Sequence, residues 1–162
     1  MLGKEINDTR WSLVGKHLQG RKNILDWGCG NGAFIRNAPN GFYCFGHDIN
    51  PFSPYKHPDL SGQKMDAVTL WDVIEHMEHP DKFISGLKTD YLFIVTPDVS
   101  GAKDLASWKH YRPDEHQHYF TVDSMSRMLS RCGYDVKEIS RDEAEIRDPK
   151  NPMYLMTLVA KR

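Results

Sequence analysis

The stretch of this sequence most suited to chemistry is Asp26-Trp27-Gly28-Cys29-Gly30-Asn31-Gly32. Glycines let a chain turn tightly and bring its backbone close to a ligand, and a helix that starts behind them offers unpaired N–H groups. Asp48 follows Gly28 by twenty residues, at the end of the next apolar stretch, where a carboxylate can accept both hydroxyls of a ribose. Loop and acid together point to an adenosine-type ligand. Gly28-x-Gly30-x-x-Ala33 also satisfies the Ala-ending fingerprint of dinucleotide binding. Asp26 argues against that ligand, because an acid ahead of the loop favours an amino group and a positive sulfur over a pyrophosphate. The plain alternative is a turn that merely needs glycines, and the strand context and distal acid count against it.

A second group is rich in histidine. Of the eight histidines in the chain, five fall between His76 and His118. An imidazole has an unperturbed pKa of about 6.5 and can accept a proton near neutral pH, so His76 and His116 are the candidate general bases. Asp72, Glu75 and His76 are spaced i, i+3, i+4, which on a helical turn puts them on one face able to hold a divalent cation. Three such side chains do not specify a metal. The preferred reading is that Glu75 caps the following turn and His76 packs against the late loop, so no metal ligand is assigned. His116 and His118 alternate and would point the same way on an extended segment; with Trp108, His110 and Tyr111 they could wall an acceptor pocket. Cys29 lacks a His-paired nucleophile context, and Cys44 and Cys132 read as core.

Alternating strands and helices would have to position these residues. Residues 5–18 read as an amphipathic helix on Ile6, Leu13, Val14, His17 and Leu18. Strands are expected over 23–27, 42–46, 67–71 and 91–95, with helices at 33–38 and after Pro80 between them. Thr121 can cap a helix with a stripe of Val122, Met125, Met128, Leu129 and Cys132, ended by Gly133. Strands 136–139 and 154–160 follow, joined by a charged loop from Arg141 to Pro152 that shows no helical pattern, and could pair as an antiparallel hairpin. The fold class is therefore α/β: a Rossmann-like, doubly wound, mostly parallel sheet with a C-terminal antiparallel hairpin. Ile49 to Met65 holds three prolines and no clear helix, so a third strand and its helix are shortened or missing. Residues 99–120 form a long loop on the substrate side.

Composition sets the outer bounds. The chain has 162 residues, 40% hydrophobic and 27% charged, with a formal net charge of −1, which suits a single domain over residues 1–162 with its N-terminal helix in residues 1–20. The charge makes a large nucleic acid partner unlikely. No apolar run is long enough to span a membrane, the N-terminus lacks the apolar core of a signal peptide, and three cysteines without a CxxC suggest no disulfide framework. A cytoplasmic protein without a membrane partner is expected; its oligomeric state cannot be read.

The ordered motifs resemble one family. Ile24 to Gly32 resembles motif I of the class I S-adenosylmethionine-dependent methyltransferases, and Asp66 to His76 is similar to the fourth-strand segment of its small-molecule branches. Leu92 to Asp98 resembles the fifth strand and its turn, and Glu115 to Thr121, with the following helix and Gly133-Tyr134, the late segment. The resemblance implies a seven-stranded sheet and S-adenosyl-L-methionine as cofactor. Gly28 and Gly30 would lie under its methionine part with Asp26 behind them; Asp48 would hold the ribose, Ile49 would pack on the adenine, and Trp71 and Asp72 would line the pocket near the sulfur. Asp59-Leu60 could supply the acid that reads the adenine amino group. Arg10 could reach the cofactor carboxylate, although a solvated Arg on a helix face is the preferred reading. Asp72-x-x-Glu75-His76 is similar to the E-x-x-E-H pattern of the ubiquinone-pathway O-methyltransferases, with Asp72 in the first place.

The acceptor expected is a small molecule carrying a hydroxyl, a metabolite or a sugar or glycan. Neither the N-P-P-Y signature of amino-directed DNA methylation nor the Pro-Cys nucleophile of cytosine methylation occurs. Two other readings remain open: a non-catalytic S-adenosylmethionine-binding-like domain that acts through a protein partner, favoured by the short 49–65 segment, and a nicotinamide oxidoreductase, disfavoured by Asp26 and the terminal hairpin.

Overall fold

The computed structural model describes residues 2–20, 22–55 and 60–162. Its elements run α1 (Leu2–His17), β1 (Lys22–Trp27), α2 (Ala33–Arg36), β2 (Phe42–His47), β3 (Lys64–Trp71), α3 (Pro80–Gly86), β4 (Lys88–Pro97), α4 (Val122–Arg131), β5 (Asp135–Ser140), α5 (Asp142–Arg147) and β6 (Leu155–Lys161). Six strands form one sheet in the order β2-β1-β3-β4-β6-β5. β2, β1, β3 and β4 are parallel, while β6 inserts antiparallel between β4 and the edge strand β5. The chain leaves β1 outward to β2 and then returns to the other side of β1 for β3. That reversal opens a crevice at the carboxyl ends of β1 and β3, where open α/β sheets bind their ligands.

Period-two alternation in the central strands builds two apolar layers. Along β4, Leu92 and Ile94 face α3 and α4 with Val68, Leu70, Ile84, Met125 and Leu129. Phe93 and Val95 face the other way, into a cluster with Trp11 and Val14 of α1, Phe34 of α2 and Ala144 of α5. Trp11 joins α1 to α2: its ring stacks on Phe34 at 4.2 Å and its indole N–H donates to the Phe34 carbonyl at 3.0 Å. The buried face of α1 is Asn7, Trp11 and Val14, rotated from the one that Ile6 and Leu13 suggested, because the large indole takes the seat against α2. No helix among the described residues is long and apolar enough to cross a membrane.

Among the described residues the sheet has six strands rather than the seven of the family pattern, as the proline-rich 49–65 segment implied; prolines and turns occupy the described part of 49–63. Asp59 lies outside the described residues. The expected charged loop 141–152 instead contains α5, whose Glu143 and Ala144 are buried. Only Ala144 and Ile146 of this helix are apolar, so no hydrophobic stripe announces it. Its inner face is held by ion pairs.

Thr121 caps α4 as its position implies. Its hydroxyl accepts from the Ser124 N–H at 3.1 Å while the Ser124 hydroxyl accepts from the Thr121 N–H at 2.9 Å, a reciprocal box that satisfies two end donors. Thr121→Ala is expected to lower stability by about 1 kcal/mol in urea denaturation; an unchanged midpoint would show that the box contributes nothing.

Candidate active site

β1 delivers Asp26 to the crevice and the chain then turns through Gly28, Gly30 and Gly32, all at positive φ. Gly28 needs glycine twice over, since at φ +75° a Cβ would also come within 2.4 Å of a Val73 methyl. At Gly30 a Cβ would meet nothing within 4 Å: the open space on that side is the cleft. The Gly28 and Cys29 N–H groups donate to the His47 carbonyl at 2.7 and 3.1 Å. The Asp48 carboxylate accepts from the Gly30 N–H at 2.6 Å and the Asn50 N–H at 2.7 Å, and Ser53 Oγ donates to the Gly30 carbonyl at 2.7 Å. Asp48 thus pins the loop with one lone pair from each oxygen and keeps further acceptor capacity. Ile49, beside it, is 90% exposed.

The cleft has a volume of about 200 Å³ and is lined by Asn7, Arg10, Asp26, Gly28, Gly30 and Trp71, among others. Asp26 is buried and accepts from Thr69 Oγ1 at 2.6 Å across the β1–β3 pair. Burial pushes its carboxyl up to about 7, against the opposing pull of the Thr69 hydroxyl and the Arg10 charge. Trp71 is buried and its indole N–H has no hydrogen-bond partner among the described residues. The Arg10 side chain is 11% exposed, which overturns the solvated reading: its guanidinium lies over the Trp71 ring at 4.6 Å and is forked by Glu143 at 2.8 and 2.6 Å. Asp72 adopts φ +57°, and its carboxylate sits in the fork of Arg147 at 3.1 and 2.6 Å. It is half-buried, and Trp71, not Asp72, lines the cleft.

Further along the same edge a short turn, Ile74–His76, carries Glu75 and His76. Glu75 does not cap that turn. It is buried, accepts from Thr96 Oγ1 at 3.0 Å, and its carbonyl holds the Gln117 and His118 N–H groups at 2.8 and 3.1 Å. His76 meets the late loop as expected, Nδ1 lying 2.9 Å from the Glu115 carbonyl. The His116 ring stands edge-on to it at 4.7 Å, buried, its Nδ1 without a partner. The two bonds to the Glu75 carbonyl bend the chain at 117, so His118 does not share the side of His116: it stacks on Phe120 and lines a separate cleft with Glu78 and Pro80. Tyr119 packs on His116 at 6.1 Å, and Tyr111 and Trp108 pack on Tyr119 at 5.5 and 6.3 Å.

Among the described residues Glu75, His76 and His116 bring one potential ligand atom each within 4.8 Å of one another, and no hydrogen bond joins any two of these three side chains. Burial first, then the Asp72 charge, pushes the Glu75 carboxyl up to about 8. Burial lowers His116, and takes His110 down to about 4. It also raises the Cys29 and Cys44 thiols to about 11 and 12, which leaves them without nucleophilic thiolate near neutral pH.

Sequence reasoning did not single out Thr69, Thr96, Glu143 or Arg147. The two threonines sit inside apolar strands, where a hydroxyl reads as β propensity. Glu143 and Arg147 did leave a signal: an acid four residues ahead of a cation, the spacing and order that support a helix.

Strand order, glycine loop and cleft together define the class I S-adenosylmethionine-dependent methyltransferase fold. Comparison with solved structures agrees. An Archaeoglobus fulgidus S-adenosylmethionine-dependent methyltransferase superposes with a TM-score of 0.71 at 18% identity over 99% of this chain and 94% of its own. Magnesium protoporphyrin IX methyltransferase from Synechocystis, with bound S-adenosylhomocysteine, gives 0.65 at 20% identity over 99% and 83%. A Burkholderia thailandensis 1,6-didemethyltoxoflavin-N1-methyltransferase gives 0.67 at 13% identity over 97% and 78%. Comparison with curated protein sequences yields no match. The family model described as a methyltransferase domain matches residues 4–139, and the chain belongs to that family. It is an S-adenosyl-L-methionine-dependent methyltransferase, and the cleft suits that cofactor: an open backbone cradle at Gly30, a buried carboxyl behind it and the Trp71 ring at its wall.

Glu75 keeps its proton to about pH 8 when folded and only to about 4.5 otherwise. Between those values the folded state binds more protons, so stability falls as pH rises through the window. Glu75→Gln, neutral throughout, is expected to melt near wild type at pH 5 and above it at pH 8. A variant that melts below wild type at pH 8 would mean that Glu75 is ionised and paired.

Proposed function

We propose that the protein methylates a hydroxyl oxygen of a small acceptor, a sugar or glycan or another small metabolite. The observation that carries this reading is the His76–His116 pair, ring to ring at 4.7 Å, on the sheet edge that also holds the glycine-loop cleft. When bound, S-adenosylmethionine supplies an activated methyl group on a positive sulfur, so positioning provides much of the rate. In this reading Gly28 and Gly30 lie under the methionine part with Asp26 behind them. Asp48 takes the ribose with its spare lone pairs, Ile49 covers the adenine, and Trp71 stands near the sulfur.

A hydroxyl is a poor nucleophile while it keeps its proton. A carbonyl only accepts, so the contact with Glu115 puts the hydrogen of a neutral His76 on Nδ1 and leaves a lone pair on Nε2. That lone pair takes the acceptor proton. His116 packs edge-on against the ring and holds its orientation, and Trp108, Tyr111 and Tyr119 supply apolar walls with polar tips. The Synechocystis and Burkholderia proteins are named for small-molecule acceptors, which supports an acceptor of that class.

A screen of hydroxylated sugars, glycans and small metabolites, read as S-adenosylhomocysteine release, tests this. An O-methylated product is expected, with His76→Ala lowering kcat about 10²–10⁴-fold and leaving S-adenosylhomocysteine affinity near wild type. Methylation at nitrogen, or a kcat indifferent to His76, would contradict the reading. Cofactor binding without turnover of any acceptor would favour a domain that acts through a protein partner.

A further inference from the structure

The strongest ionic feature of the molecule lies outside the family's motifs. α5, in the connection between β5 and β6, buries Glu143 to 2% exposure. Buried carboxylates are rare unless paired, and this one is paired twice. It forks Arg10 of α1 through Nε and Nη2 at 2.8 and 2.6 Å and holds Arg147 Nη2 at 2.5 Å. Arg147 in turn forks Asp72 at the end of β3. The chain Arg10–Glu143–Arg147–Asp72 is charge-balanced, and it fixes a helix of the terminal hairpin to the rim of the cleft.

Its effect falls on Arg10. With Nε and Nη2 taken by Glu143, the guanidinium lies over the Trp71 ring at 4.6 Å, and Nη1 makes no hydrogen bond among the described residues. Arg10 and Trp71 both line the cleft. The Trp71 indole N–H is buried and unpartnered on a residue only 7% exposed, and a buried donor of that kind is costly until an acceptor reaches it. Arg10 Nη1, a spare cationic donor on a residue of the cleft wall, suits an oxygen of a carboxylate. Asp72 is the competitor, its Oδ2 only 3.7 Å from Arg10 Nη2; without Glu143 the guanidinium is free to move toward Asp72 and off the indole.

We propose that Glu143 is a positioning residue of the cofactor site: it holds Arg10 on Trp71 so that the spare Arg10 Nη1 meets the carboxylate of the cofactor's amino-acid end. This rests on the cofactor occupying the glycine-loop cleft. The hairpin helix thereby becomes part of the site and confers selectivity for an intact amino-acid terminus.

Two probes separate this role from a structural one: S-adenosylmethionine, and its decarboxylated form, which keeps the sulfonium and the amino group. Calorimetry on the wild type is expected to show at least a tenfold preference for the first. In Glu143→Gln the preference should collapse toward one, through weaker S-adenosylmethionine binding with little change for the decarboxylated form. Arg10→Lys, which keeps the charge against Glu143 but loses the fork, should do the same and serves where Glu143→Gln folds poorly. An unchanged preference in a folded variant, or equal weakening of both ligands, would overturn the role of Glu143. Failure of both ligands to bind the wild type would overturn the cofactor placement itself.

Discussion

The hydrogen bond from Thr69 to Asp26 joins β1 to β3 where the strand order reverses, and the site is arranged around it. A carboxyl with 2% exposure is unfavourable as an anion in the apolar interior, which is why it holds its proton up to about pH 7. The fold tolerates it because Thr69 donates to it, Arg10 stands nearby, and one side of it opens into the cleft. A ligand bearing positive charge relieves that cost. The glycine loop follows directly: with Asp26 fixed at the floor, the backbone must turn away at once and stay thin, and Gly28 packed on Val73 beside an open Gly30 does both.

Around this floor the molecule uses two kinds of cement. Toward α3 and α4 the packing is apolar and the contacts are those of an ordinary core. Toward α1 and α5 an ionic chain, Arg10–Glu143–Arg147–Asp72, lies beside a smaller apolar cluster. Fork geometry makes each link directional, and a directional link orients a side chain more narrowly than apolar contact does. The edge that carries Glu75 and His76 is organised differently again. The Glu75 carbonyl takes two N–H groups from 117 and 118, so one backbone oxygen folds the long loop over the sheet and sets the His116 ring against His76. The glycine-loop cleft and the histidine pair thus lie along one rim, with Asp72 between them in sequence.

Much of this was legible in the sequence where a residue type had one job. The glycine loop, the capped helix after Thr121 and the alternating strands read correctly because period, punctuation and capping depend on near neighbours. Reading failed where partners are distant. Nothing near Glu143 says that Arg10, 133 positions away, will bury it, and a helix with two apolar residues has no stripe to find. The placement of His118 failed for a similar reason. Alternation assumes an extended strand, and the bend that breaks it comes from a carbonyl some forty residues earlier. The missing third strand was readable, since prolines and turn residues fill its place.

The central claim is that the cleft between the glycine loop, Asp26 and Trp71 holds S-adenosylmethionine. Parallel calorimetric titrations with S-adenosylmethionine, S-adenosylhomocysteine and NAD test it most directly. The account predicts binding of the first two with Kd on the order of micromolar, about −8 kcal/mol, and no heat from NAD. Saturable binding of NAD, or no binding of either adenosyl ligand, would contradict it.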